Sequence, residues 1–138
     1  MIYLFFGNDS FRMAQKLNEL LDFFKSKFGE TRVYRIEKEN FNKAEFEELM
    51  KSRTLFENKI IVVCGGLLEE KNLAEFIMEN FGKCSQSENV FIFTESELDE
   101  KFLNKIKKEA EKSYEFKLLS GAKLEEWVKN EINIREAK

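Results

Sequence analysis

Short apolar runs alternate with single amphipathic segments along the whole of this chain. Ile2 to Phe6 is apolar throughout, Thr31 to Ile36 alternates, and Lys59 to Cys64 holds Ile60-Ile61-Val62-Val63. Asn89 to Thr94 and Tyr114 to Leu118 complete the set. Continuous apolar runs of this length predict strands covered on both faces. Between them, Met13, Leu17, Leu20, Leu21, Phe24 and Phe28 form one helical stripe, with Gly29 ending it. Phe46, Leu49 and Met50 predict a shorter helix, opened by Asn42 and Glu45 as a capping-box variant. A third stripe runs through Leu73, Phe76, Ile77 and Phe81, a fourth through Phe102, Leu103, Ile106 and Ala110. Leu124, Trp127, Val128 and Ile132 mark a closing helix. Strand and helix thus alternate five times, which predicts an α/β fold with a five-stranded, mainly parallel sheet and helices on both faces. Right-handed crossovers place the loops after the strands along one edge, where open α/β folds bind their ligands.

The 138 residues suit one domain with a proper core, and fifteen Phe with no Pro mark a compact chain rather than a disordered one. Net charge is −3, with acidic and basic residues interleaved along the helices, the pattern of solvated helix faces. Phosphate neutralisation needs clustered Lys and Arg, so contact with DNA is expected only inside a larger assembly, and the isolated chain is expected to be a monomer. His is absent, which excludes His-based acid–base chemistry and the Cys/His zinc patterns; no metal or other cofactor is expected. Cys64 sits in an apolar strand and Cys84 in a polar stretch read as a loop. Two unpatterned cysteines fit a reducing, cytoplasmic setting. The opening is too short for a signal-peptide core, and no apolar run reaches the ~20 residues that span a bilayer, so no membrane association is expected. Ile134 to Lys138 stops without a cap, as a cut end or the first residues of something longer. Residues 1–128 are therefore taken as the domain and 129–138 as a truncated tail or the start of a further unit.

The first strand runs into Gly7-Asn8-Asp9-Ser10, and a helix opens directly behind. Phosphate-binding loops are built this way, but a P-loop needs G-x-x-x-x-G-K-[ST], so that backbone N–H groups, a lysine and a magnesium-binding hydroxyl share the phosphate charge. Here Gly7 is followed by Asn-Asp-Ser-Phe-Arg, with no second glycine and an acidic residue where phosphate would approach. The dinucleotide fingerprint G-x-G-x-x-G fails as well. A P-loop ATPase also carries carboxylates at the end of an inner strand, whereas Ile60 to Cys64 ends in Gly65-Gly66, with Glu69 and Glu70 further on. Asp9 reads as a helix N-cap, Arg12 as a surface or loop-pairing residue and Lys16 as a solvated helix residue. The turn is a degenerate P-loop with no catalytic residue in it. The rival reading is a divergent ATPase using Lys16 with Glu69 or Glu70; a third is an inert structural relic.

One connector stands out. Ser52-Arg53-Thr54-Leu55-Phe56-Glu57-Asn58-Lys59 holds a large apolar pair inside a polar stretch. From composition, Leu55 and Phe56 tuck under the domain; the functional alternative makes them an anchor for a partner's pocket.

Four segments carry a resemblance. Tyr3-Leu4-Phe5-Phe6-Gly7-Asn8-Asp9-Ser10-Phe11 resembles the opening of the delta subunit of bacterial DNA polymerase III, the clamp-loader subunit that opens the sliding clamp. Ser52 to Val63 is similar to that family's clamp-contacting segment and the strand behind it, and Asn89 to Thr94 to its fourth strand. Phe116-Lys117-Leu118-Leu119, then Leu124 and Trp127, is similar to the end of its first domain. The resemblance implies an AAA+-like, P-loop NTPase-type domain that has lost ATP binding and is not itself an enzyme. It also implies that Leu55 and Phe56 enter a hydrophobic pocket on the beta sliding clamp, which reverses the compositional reading of the pair. The family continues into a lid domain and a collar domain that assembles with the other clamp-loader subunits; neither is found in these residues.

Overall fold

A computed structural model describes residues 1–51 and 59–118 of the chain. Five strands, β1 (Ile2–Phe6), β2 (Thr31–Glu37), β3 (Lys59–Gly65), β4 (Val90–Glu95) and β5 (Lys112–Glu115), form one sheet in the order β2-β3-β4-β1-β5. Every pairing is parallel, so the sheet is wholly rather than mainly parallel. Register sets Leu4 beside Phe93 and Ser113, and Val63 between Arg35 and Ile92.

Parallel strands need crossovers, and the apolar stripes decide which face each one covers. Helix α1 (Ser10–Phe28) crosses one face, alone among the described helices, burying Leu17, Leu21 and Phe24 against Phe5, Ile61 and Ile92. Helices α2 (Lys43–Lys51), α3 (Lys71–Glu79), α4 (Phe81–Gln86) and α5 (Glu100–Glu109) cover the other. There Phe46, Ile77, Phe81 and Ile106 pack on Leu4, Val62, Phe91 and Phe93. Rings meet edge-on or tilted, as at Phe81–Phe93 (5.5 Å) and Phe46–Phe91 (5.5 Å). Each fully buried Phe of this kind is worth about 1.5–3 kcal/mol from area alone.

Caps follow the sequence. Asp9 caps α1 by accepting from Arg12 N, and Asn42 Oδ1 accepts from Glu45 N at 3.0 Å ahead of α2. Three expectations need correction. The stripe Leu73 to Phe81 is not one helix: Asn80 leaves helical geometry (φ −108°, ψ 7°), its Nδ2 donates to Phe76 O at 2.8 Å, and Phe81 begins α4. Cys84 lies inside α4 and is fully buried, not in a polar loop, because polar Lys83, Ser85 and Gln86 surround a single inward position. The last strand occupies Lys112–Glu115 rather than Tyr114–Leu118, because the pairing with Tyr3–Phe6 sets its frame. Leu55, Phe56 and the expected helix through Leu124 and Trp127 lie outside the described residues.

Candidate functional site

Because α1 leaves β1 toward one face and α5 leaves β4 toward the other, the carboxyl ends of these two neighbouring strands diverge. Ligands of open α/β sheets bind at such a switch point. The turn Gly7-Asn8-Asp9-Ser10 forms one side, and Glu95 with Ser96 at the end of β4 forms the other.

In a phosphate-binding turn the backbone N–H groups point at the ligand. Here three of them, those of Gly7, Asp9 and Arg12, donate within the protein. Gly7 N donates to Glu95 O at 3.0 Å, Asp9 N donates to Phe116 O at 2.9 Å, and Arg12 N donates to Asp9 Oδ1 at 3.1 Å. The segment after β5 closes over the turn: Phe116 N donates to Phe6 O at 2.7 Å, and Leu118 N donates to Asn8 Oδ1 at 2.8 Å. Asp9 is 8% exposed, and its other carboxylate oxygen lies 3.7 Å from the Arg12 guanidinium. Ser10 is exposed on the first turn of α1.

The residue that sequence reasoning missed is Glu95, which follows the apolar run of β4 and is 1% exposed. Its Oε1 accepts from Leu68 N at 3.0 Å; its Oε2 has no hydrogen-bond partner among the described residues. Burial pushes its pKa up to about 7, Leu68 N–H pulls it back, nearby Glu69 adds to the rise and Lys38 opposes it. The signal was available in Phe93-Thr94-Glu95-Ser96, a carboxylate placed directly on the end of an inner strand. Glu69 itself accepts from Lys38 Nζ at 2.7 Å and from Ser96 Oγ at 3.3 Å. That contact lowers the Glu69 pKa and raises that of Lys38. Both side chains are largely solvated, so the pair adds little stability.

The structure does not join the parts of the rival ATPase reading. Lys16 lies 3.7 Å from Glu19 and 5.2 Å over the Tyr114 ring, Glu69 pairs with Lys38, and Glu70 stands at the start of α3. Among the described residues no group of three or more His, Cys, Asp or Glu is placed to hold a metal ion. None of their helices is long and apolar enough to cross a membrane.

An all-parallel sheet in this order, with a glycine turn opening a helix after β1, defines an AAA+-like α/β domain. The solved structure of C. elegans PCH-2, an AAA+ protein, superposes with a TM-score of 0.52 at 13% identity. The match covers 83% of this chain and 34% of that one, and at this identity it speaks for the fold alone. The family is given by sequence: the model for the DNA polymerase III delta subunit matches residues 3–118, and the chain belongs to that family. No curated protein matches it.

Proposed function

We propose that this chain is the sliding-clamp-binding first domain of a clamp-loader delta subunit, and that it neither holds nor hydrolyses ATP. The observation that carries the second half is the closed β1 turn, whose Gly7 and Asp9 N–H groups are satisfied by Glu95 O and Phe116 O. Phosphate would have to displace the 116–118 segment and sit beside the Asp9 carboxylate. Membership of the delta family supports the first half. Leu55 and Phe56 are the anchor in this reading. Lys51 ends α2 and Lys59 opens β3, so their connector leaves and re-enters at the amino edge of the sheet, opposite the closed turn. Clamp contact and the degenerate nucleotide site are then separate. The partners are the beta clamp and the other loader subunits, with DNA contacted only in the assembled loader, in the cytoplasm.

Three measurements test this. Calorimetry with MgATP is expected to give no binding heat, and a phosphate-release assay no turnover above buffer. Micromolar binding coupled to turnover would revive the divergent-ATPase reading. Surface plasmon resonance against the cognate clamp is expected to show binding that Phe56→Ala weakens. A well-folded chain with no affinity for the clamp would leave the relic reading standing.

A further inference from the structure

Glu95 ties two loops of the carboxyl edge together, and only one of the two ties depends on its carboxyl group. Its backbone O receives Gly7 N at 3.0 Å, which helps to shut the turn after β1. Its Oε1 receives Leu68 N, also at 3.0 Å, from the chain that follows β3. There Gly66 takes the left-handed conformation (φ 68°), and Leu67–Glu69 make a single 3-10 turn. The turn is short and thinly bonded. Gly66 N donates to Thr94 O at 2.9 Å ahead of it, and Glu69 N reaches Gly66 O at 3.3 Å. Its apolar pair, Leu67 and Leu68, is nevertheless buried in the core beneath. Phe91 and Phe93 lie on the four-helix face, so the Glu95 side chain, two residues further along β4, enters that face as well.

The carboxyl group is poorly provided for in that place. Its Oε2 is buried and meets no hydrogen-bond partner among the described residues. A neutral carboxyl leaves one hydroxyl unsatisfied there, whereas a carboxylate leaves a buried charge with one N–H to hold it. The charged groups nearby do not rescue it. Glu69 repels the charge; Lys38 attracts it, but that ammonium is bonded to Glu69 Oε2 at 2.7 Å. Cys64 of β3 is a thiol that burial keeps protonated. Glu37 lies with Thr94 against Gly65, on the opposite face. On α5, Lys107 sits 5.6 Å over the Phe6 ring and Asp99 caps its own helix. We propose that Glu95 is a proton-operated latch on the Leu67–Glu69 turn. Protonated, its side chain stays inside and holds Leu68 N–H. On giving its proton to water, the carboxylate swings out to solvent and frees Leu68 N–H. The turn then opens with Leu67 and Leu68, while the sheet and the Gly7 turn, tied through the backbone, stay closed. Burial pushes the Glu95 pKa up to about 7, which sets the change near neutral pH.

Hydrogen exchange followed residue by residue by NMR, on the full chain from pH 5 to 8, tests the latch. An opening that releases one proton lowers the protection of Leu68 N–H about tenfold per pH unit until the midpoint is reached. At pH 8 that amide is expected to be close to unprotected. Gly7 N–H, bonded to the backbone of the same glutamate, and Val62 N–H, inside β3, are expected to stay protected by orders of magnitude. The carboxyl carbon shift of Glu95 is expected to titrate at the same midpoint as the exchange of Leu68. Glu95→Gln is expected to make Leu68 protection independent of pH. The latch is overturned if Glu95 titrates near neutral pH while Leu68 N–H stays protected, because the carboxylate then remains inside. It is overturned equally if Leu68, Gly7 and Val62 are protected alike at pH 8, or if Glu95→Gln keeps the pH dependence. Should that variant not fold, the two readings on the native chain still decide.

Discussion

Gly7 lies so close beneath Phe116 that a β-carbon built on it would fall inside the Phe116 carbonyl. Its φ of +130° is also one that side-chain-bearing residues rarely adopt. The glycine that opens phosphate-binding turns is thus used here for close approach of the chain's own backbone. That backbone takes the Asp9 N–H, so the turn is held shut by the strand-end segment that Gly7 admits.

Gly7→Ala therefore meets both strain and collision, each worth about 1–3 kcal/mol. A urea titration is expected to show a loss of roughly 3 kcal/mol or more. A loss below about 1 kcal/mol would mean that the 116–118 segment lifts off at no cost and the turn is not closed as described.

Glu95 predicts a pH dependence with a definite sign. Burial raises its pKa from the usual carboxylate range to about 7, so the folded protein binds a proton that the unfolded chain has released. Its contribution is fully present at pH below the usual carboxylate value and is lost as pH rises through about 7. Glu95→Gln keeps an acceptor for Leu68 N–H without the charge. The variant is expected to overtake the wild type as pH rises from 5 to 8, by roughly 2–3 kcal/mol at the top of the range. Parallel urea titrations across that range would show it; curves that stay parallel at every pH would remove Glu95 as a titrating group.

These two residues mark where sequence reading stopped. Strands β1, β3 and β4 were legible because a buried parallel strand is apolar on both faces, as Ile60 to Cys64 is. The long α1 stripe and its Asp9 cap were legible for the same local reasons. Strand β5 was displaced by two residues because an edge strand covered on one side carries little pattern; Lys112 and Ser113 pair through their backbone alone. The break between α3 and α4 hid because Phe81 continues the stripe's spacing even as Asn80 ends the helix. The failed nucleotide motifs were plain in the sequence, but the closure of the turn was not. It joins Asn8 and Asp9 to Leu118 and Phe116 across more than 100 residues of chain.

The amino terminus offers a third test, at the opposite edge of the sheet. The Met1 ammonium donates to Cys84 O, Ser87 O and Asn89 O, each at 3.0 Å. Cys84 and Ser87 end α4, where the helix dipole favours a cation. Acetylation removes the charge and leaves one N–H to serve three carbonyls. It is expected to cost about 1–3 kcal/mol, measured by urea titration of the acetylated and free chains side by side. Equal stabilities would show that water replaces these bonds without loss.

Leu55 and Phe56 give the prediction closest to function. A loader subunit must grip one clamp interface, and a small domain does so most economically by seating a few apolar side chains in a preformed pocket. Anchors at interface centres cost about 2 kcal/mol or more when truncated. Phe56→Ala is therefore expected to weaken clamp binding roughly thirtyfold or more, since about 1.4 kcal/mol is a factor of ten. Leu55→Ala should act in the same direction. The melting temperature should stay nearly constant, because an anchor waiting for a partner contributes little to the core of the free domain. Surface plasmon resonance and a melting curve on the same preparation separate the two roles. Unchanged affinity with a large drop in melting temperature would return both side chains to the domain's own interior, and the clamp would have to be held elsewhere.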